Sequence, residues 1–315
     1  MTTGFRHLSL RHLRLIAAIA DLGQLGLAAD RLAVSQPAAS RMLAEAERQI
    51  GLPIFQRLAR GMVPTQAGRV VTAHALAVVH RLDQAEEEIA AHLSGRAGRL
   101  DIGTVTGPAV AHVVPALRRL KAEAPGARIG IDVAPSIELV EGLIRGDYDL
   151  VLGRVPDSMD PRQFEILSGR VEEVELLLRA DHPLARHPGP APLAELRRFP
   201  WVLQRTGMPI RVAIEQAFAH RGLPPPDDTI DTASLLLTMA ILADSDAIAP
   251  VTREVAALLS HLATQGLTTL RLDPQIVLTP YHILRLKDRD PSPLCARAVA
   301  ILSDRLAPPR RGGSP

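Results

Sequence analysis

Residues 28–55, "AADRLAVSQPAASRMLAEAERQIGLPIF", are rich in the helix formers Ala and Leu, yet Val34, Ser35 and Pro37 interrupt them midway. From Leu25 to Ala33, Ala28, Ala29 and Leu32 fall on one side and Asp30 and Arg31 on the other, which predicts a short amphipathic helix with Gly26 near its start. Ser35 can accept the free backbone N–H groups of a following helix, and Pro37 in the first turn gives up no hydrogen bond. The interruption therefore starts a second helix. In that helix Ala39, Met42, Leu43 and Ala46 are predicted to face inward, leaving Gln36, Ser40 and Arg41 outside. Two helices joined by three or four residues, with small Ala29 where they must approach closely, make a helix-turn-helix. The outer face of the second helix then carries side chains suited to base edges and phosphates.

Outward from this stretch, "GLPIFQRLARGMVPTQAG" offers a Gly-Leu-Pro helix stop, a strand around Ile54 to Gln56, and a turn at Gly61 before Val63 and Thr65. This pattern predicts a wing bearing Arg57 and Arg60. Residues 1–69 hold nine Arg (6, 11, 14, 31, 41, 48, 57, 60, 69) against Asp21, Asp30, Glu45 and Glu47. Residues 70–95 reverse the balance, with Arg81 against Asp83, Glu86, Glu87 and Glu88. The arginines alone could be the solvated surface of any helical domain. Together with the turn chemistry and the wing, they mark the basic part as the nucleic-acid reader.

The segments "LRLIAAIADLG", "AADRLAVSQPAASRML", "IGLPIFQR" and "PTQAG" stand in the order and spacing of the amino-terminal domain of LysR-type transcriptional regulators, and the first 95 or so residues resemble that domain. Two places depart from the family pattern: Gln24, Leu25 and Gly26 replace the usual Ser, aromatic or aliphatic residue and Thr, and Ala46-Glu47 replaces Leu-Glu. The resemblance implies a winged helix-turn-helix, a long dimerising linker helix, and a two-lobed α/β effector domain resembling a periplasmic binding protein. The expected boundaries are 1–68, 69–95 and 96–315. The candidate DNA-binding set is Ser35, Gln36, Pro37, Ala38, Ser40, Arg41, Arg57, Arg60 and Thr65. The implied partners are double-stranded DNA, a small-molecule effector, a second copy of the chain in a homodimer or homotetramer, and RNA polymerase.

From Val70, "VVTAHALAVVHRLDQAEEEIAAHL" contains no Gly or Pro and predicts a long helix. Val71, Val78 and Ala85 lie seven apart, as do Ala75, Leu82 and Ile89, which is the spacing of a heptad seam. A helix lying on its own domain would show the same pattern, and the resemblance favours the dimer. Past Ser94 to Gly98, "RLDIGTV", "AVAHVVPALRRLKAEAP", "RIGIDVA", "ELVEGLIRG" and "YDLVLGR" read as βαβαβ, hence a parallel sheet. A second set follows in "VELLLRA", "WVLQ", "IRVAIEQAFAHRG", "TIDT", "SLLLTMAILA" and "DAIAP", and "YHILRLK" with a helix near "PLCARAVAILSDRL" closes the chain.

Ligands of open α/β sheets bind outside the carboxyl ends of the strands. The strand ends supply the effector candidates Thr104, Thr106, Ser136, Arg154, Gln204, Arg205 and Thr252. Taken singly, each is more often an ordinary helix cap, and their shared location at strand exits is what joins them into a site. Family segments that bear on effector binding match "VAPSIELVEGL" and "DLVLGR", which supports Ser136 and Arg154. Arg154 and Arg205 would suit a carboxylate, and the hydroxyl set a sugar or hydroxy acid. The residues do not separate activator from repressor.

At 315 residues, 47% hydrophobic and with a formal net charge of +2, the chain can bury cores for two or three domains and has no strong global field. Its single cysteine, Cys295, excludes an internal disulfide and reads as a core residue. No GxSxG elbow, GxGxxG after a strand, or Walker lysine is present, and His7/His12 and His74/His80 lack the i, i+4 spacing of helix-borne metal ligands. His182 and His187 flank Pro183 and Pro188 in a predicted loop. The expectation is no enzyme, no cofactor and no metal. A transport receptor would fit the second half, but would not need the first 95 residues. Arginines interrupt the apolar N-terminus, and no run approaches 18 apolar residues, so a soluble cytoplasmic protein without membrane contact is expected.

Overall fold

The computed structural model describes residues 4–58, 61–93, 98–262 and 266–307. Two compact units emerge, the first of residues 1–101 with 124–130 and 140–149, the second of 102–123, 131–139 and 150–315.

The first unit opens with three helices, α1 (Leu10–Leu22), α2 (Leu25–Arg31) and α3 (Gln36–Ile50), then a hairpin of β1 (Phe55–Leu58) and β2 (Gly61–Pro64), then the long α4 (Gln66–Leu93). Their boundaries follow from caps. Ser9 accepts the His12 N–H at 3.4 Å, and His12 Nδ1 accepts the Ser9 N–H at 3.2 Å. Gly23 and Gly51 end α1 and α3 in the left-handed region, with φ of 67° and 81°. At the departure Gln24, the residue before α2 makes no side-chain cap. Ile16, Ile19, Ala28, Ala39 and Ala46 are fully buried in one cluster, with Met42 packed at its edge. Each large side chain so buried contributes about 1.5–3 kcal/mol. Ala46 stands inside, and the adjacent Glu47 Oε1 accepts the Ile54 and Phe55 N–H groups at 2.8 and 3.3 Å, tying the end of α3 to the wing.

The wing is seated by a close approach. Met62 N–H donates to the Gly23 carbonyl at 2.7 Å, and a Cβ on Gly61, whose φ is 109°, would lie 2.6 Å from that oxygen. Glycine is therefore required there. α4 begins at Gln66, so the expected boundary at 69 falls inside it.

In the α/β part, β3 (Arg99–Thr104) leads to α5 (Thr106–Pro108), a π-helical turn (Ala109–Val113) and α6 (Val114–Glu123). Then come β4 (Arg128–Val133), α7 (Ser136–Arg145), β5 (Leu150–Gly153), β6 (Phe164–Arg179), β7 (Ala191–Pro192), α8 (Leu193–Leu196) and β8 (Trp201–Leu203). α9 (Pro209–His220), β9 (Thr229–Asp231), α10 (Leu235–Ala243), β10 (Ala249–Thr252), α11 (Arg253–Leu262), β11 (Leu267–Leu286) and α12 (Pro293–Leu306) follow.

The main sheet has the order β10-β6-β11-β5-β3-β4, with β7 beside β11, and β8 and β9 pair separately. β3 and β5 are parallel, as the βαβαβ pattern predicts. Beyond that set the sheet is mixed: β11 runs antiparallel to both β5 and β6. "VELLLRA" and "YHILRLK" are only the ends of the long strands β6 and β11, whose mutual register shifts between Arg271 and Ile276 and again near Tyr281. Buried side chains including Trp201, Phe218, Ile214 and Leu178 form one core here, and Leu242, Val251 and Ala256 belong to another. Cys295 is buried in α12. No helix among the described residues is long and apolar enough to cross a membrane.

Candidate functional site

Two places gather the predicted residues, one in each unit. In the first, Ser35 Oγ accepts the Ala38 N–H at 3.4 Å, and Pro37 follows in the first turn of α3. The helix thereby begins with Ser35, Gln36 and Pro37 exposed, Ala38 and Ser40 half-buried, and Arg41 exposed one turn on. Arg57 is exposed on β1, paired in register with Met62, so α3 and the hairpin both offer cations to solvent. Arg60 lies outside the described residues. Thr65 is committed internally: its hydroxyl donates to the Pro53 carbonyl at 2.7 Å and accepts the Gly68 N–H at 2.9 Å. It fastens the start of α4 to the wing and does not present a free hydroxyl. Arg31, on α2, is paired with Asp21 at 2.6 Å.

The second place is a cavity of about 520 Å³ in the second unit, within the range of small-molecule sites. Thr106, Ser136, Arg154, Gln204, Arg205 and Thr252 all line it. The structure does not bring Thr104 there. That residue is fully buried, and its hydroxyl donates to the Val105 carbonyl at 3.0 Å, because the last residue of β3 turns its side chain into the core.

Ser136 Oγ accepts the backbone N–H of Arg154 at 3.1 Å, which joins the start of α7 to the exit of β5. The Arg154 guanidinium is held from two sides. Nη2 donates to Glu172 Oε2 at 2.6 Å and Nε to the Thr279 carbonyl at 2.8 Å. Glu172 lies on β6 and is buried, and burial raises its carboxyl above the usual range although Arg154 pulls it back. Its Oε1 sits against Gly107, where any Cβ would collide with it and stand 3.0 Å from Thr252 Oγ1. Thr252 Oγ1 and Gln204 Oε1 are buried and have no hydrogen-bond partner among the described residues. Arg205 is exposed at the rim.

Sequence reasoning missed Glu172 and Gly107. A Glu within "RVEEVELLLR" reads as the polar face of a strand, and only the partner Arg154 distinguishes it. Gly107 follows Thr106 at a strand exit, a signal for close backbone approach that was available. The arrangement supplies hydrogen bonds and apolar contact for a small guest.

The description "Bacterial regulatory helix-turn-helix protein, lysR family" matches residues 10–69, and "LysR substrate binding domain" matches residues 93–307. The HTH-type transcriptional regulator GbpR of Azospirillum brasilense is 35% identical over 295 residues, covering 94% of this chain and 86% of that protein. The GbpR of Rhizobium radiobacter is 37% identical over 247 residues, 78% of this chain and 82% of that one. Full-length CbnR complexed with its target DNA shares the fold at a TM-score of 0.66 and 22% identity, over 94% of this chain and 99% of that chain.

Proposed function

This chain belongs to the LysR family of DNA-binding transcriptional regulators that answer small-molecule effectors, and from that premise we propose which residues read the DNA and which hold the effector. α3 enters the major groove with Gln36, Ser40 and Arg41 toward the bases, while Ser35, Pro37 and Ala38 set the entry of the helix beside the backbone. Arg57 and Arg60 of the wing bind phosphates, and Thr65 supports the wing from behind. Residues 1–68 carry the DNA, 69–95 the linker, and 96–315 the effector. The effector occupies the cavity bounded by Thr106, Ser136, Arg154, Gln204, Arg205 and Thr252. Two copies pair along α4 and pairs associate as tetramers, working in the cytoplasm where RNA polymerase is the final partner.

The observation that carries this reading is the pair of exposed residues Gln36 and Arg41 on α3, a helix started by the Ser35 cap, together with exposed Arg57 on the hairpin. Footprinting on the DNA just upstream of the gene, across a salt series, tests it. Arg41→Ala should cost about 1–3 kcal/mol on the specific site and relax sequence preference there. Arg57→Ala should weaken all sequences alike and flatten the salt dependence by about one unit of slope. Variants indistinguishable from the parent at every salt concentration would place the reader elsewhere.

A further inference from the structure

The charges lining the cavity cancel: Glu138 and Glu172 stand against Arg154 and Arg205. They are not equally available. Arg154, with its side chain 13% exposed, is bound to Glu172, at 3%, so the deepest cation is already neutralised. Glu138 and Arg205 are exposed, where solvent weakens what either offers a ligand. A carboxylate entering the floor would meet Glu172 Oε1 beside Gly107 and would have to take Arg154 from its partner, leaving one buried negative charge uncompensated.

What the floor does offer is oxygen without donors. Thr252 is 6% exposed, and its Oγ1 has no partner among the described residues; Gln204 Oε1 is in the same state. Ser136 Oγ accepts the Arg154 N–H, which leaves its own proton to donate. Among the described residues no aromatic side chain lines the space, so none of them selects a planar ring, while Met208, Ile210 and Leu278 supply apolar contact. A guest that satisfies this set is uncharged and carries several hydroxyls, each able to donate to one oxygen and accept from another.

We propose that the effector is a neutral polyhydroxylated molecule of the sugar or cyclic polyol class, hydrogen-bonded to Thr252, Gln204 and Glu172. This rests on the reading of the cavity as the effector site. Glu172 then has two duties, holding Arg154 with one oxygen and accepting a ligand hydroxyl with the other.

Calorimetry on the full chain tests it with a panel of neutral aldohexoses, aldopentoses and cyclitols, each sugar paired with its own aldonate, and with benzoate as an aromatic acid. At least one neutral member should bind, and its aldonate at least about tenfold more weakly. Glu172→Gln and the near-isosteric Thr252→Val should each weaken the neutral ligand about tenfold, with specific DNA binding and melting temperature reporting that the variants are folded. The sign at Glu172 is decisive, because Glu172→Gln would strengthen an anionic ligand by removing a like charge and freeing Arg154. An aldonate or benzoate that binds tighter than every neutral member, tightening further in Glu172→Gln, overturns the ligand class while leaving the site in place. A neutral member that binds parent, Glu172→Gln and Thr252→Val alike overturns the site itself. Failure of every neutral member to bind a chain that still binds its DNA overturns the class.

Discussion

Ala33, between α2 and α3, has φ of 52°, the one non-glycine residue in the left-handed region among those described. An L side chain there costs roughly 1–2 kcal/mol, and glycine would remove that strain at an entropic cost of about 0.5–1 kcal/mol. Ala33 is exposed, so no packing is lost with its methyl group. Ala33→Gly should therefore raise the stability of the first unit by about 0.5 kcal/mol or slightly more, and Ala33→Val, with a β-branched side chain at the same φ, should lower it by more than that. Urea unfolding of both variants checks the sign, and a Gly variant less stable than the parent would show that the turn is not strained. At this scale the sequence was read well where a residue acts on its neighbours, as Ser35 does on Ala38 N–H. It was read poorly where the partner is distant. Thr104 was expected in the cavity from its place at a strand exit, but its side-chain direction is fixed by the core around β3. Glu172 was invisible because Arg154 lies 18 residues away in the chain.

Among the elements, α4 divides the expected seam in two. Val71 and Ala75 are buried against the first unit's own core, whereas Val78, Leu82 and Ile89 are 39%, 37% and 61% exposed. The heptad spacing was legible, but it could not show that its first turn is used internally. The exposed remainder is an apolar stripe on a helix, which a second α4 would cover. Val78→Glu or Leu82→Glu should place unpaired charge in that contact and separate the subunits without unfolding helices α1 to α3. Light scattering at working concentration checks this: a parent that is already monomeric, or a variant that stays dimeric, sinks the assignment. The short helices were readable because caps at Ser9, Ser35 and Gly51 are local chemistry. β6 and β11 were read at a fraction of their length because Pro274, Gln275 and Pro280 interrupt the apolar run of β11, and Glu172 and Glu173 that of β6. Only the pairing of each with the other carries the strands through those breaks.

On the scale of the whole molecule, salt acts on exposed arginines such as Arg41 and Arg57, and pH acts on buried groups such as Asp101, Glu172 and His112. His112, in the π-helical turn, is 5% exposed, and its Nδ1 has no partner among the described residues. Burial first, then the positive charges of Arg170 and Arg305, lower its pKa from 6.5 to about 4. The folded chain thus keeps this imidazole neutral down to about pH 4, while the unfolded chain protonates it below 6.5. Its contribution is complete above pH 6.5 and is lost as pH falls toward 4, at up to about 1.36 kcal/mol per pH unit and roughly 3 kcal/mol in all. His182, also lowered by burial, has the same sign. Glu172, raised by burial, has the opposite one, so the total pH profile mixes them and a difference measurement is needed. Replacing His112 by Leu removes one titration and keeps an apolar occupant beside Tyr281, whose ring centroid is 6.2 Å away. Trp201, the chain's single tryptophan, is fully buried in a core of the second unit and reports its unfolding by fluorescence. Between pH 7.5 and 5 the parent should lose stability relative to His112→Leu by about 2 kcal/mol, with the difference flat above pH 7. A difference that stays constant down to pH 5 would mean that His112 takes its proton in the folded chain as easily as in the unfolded one.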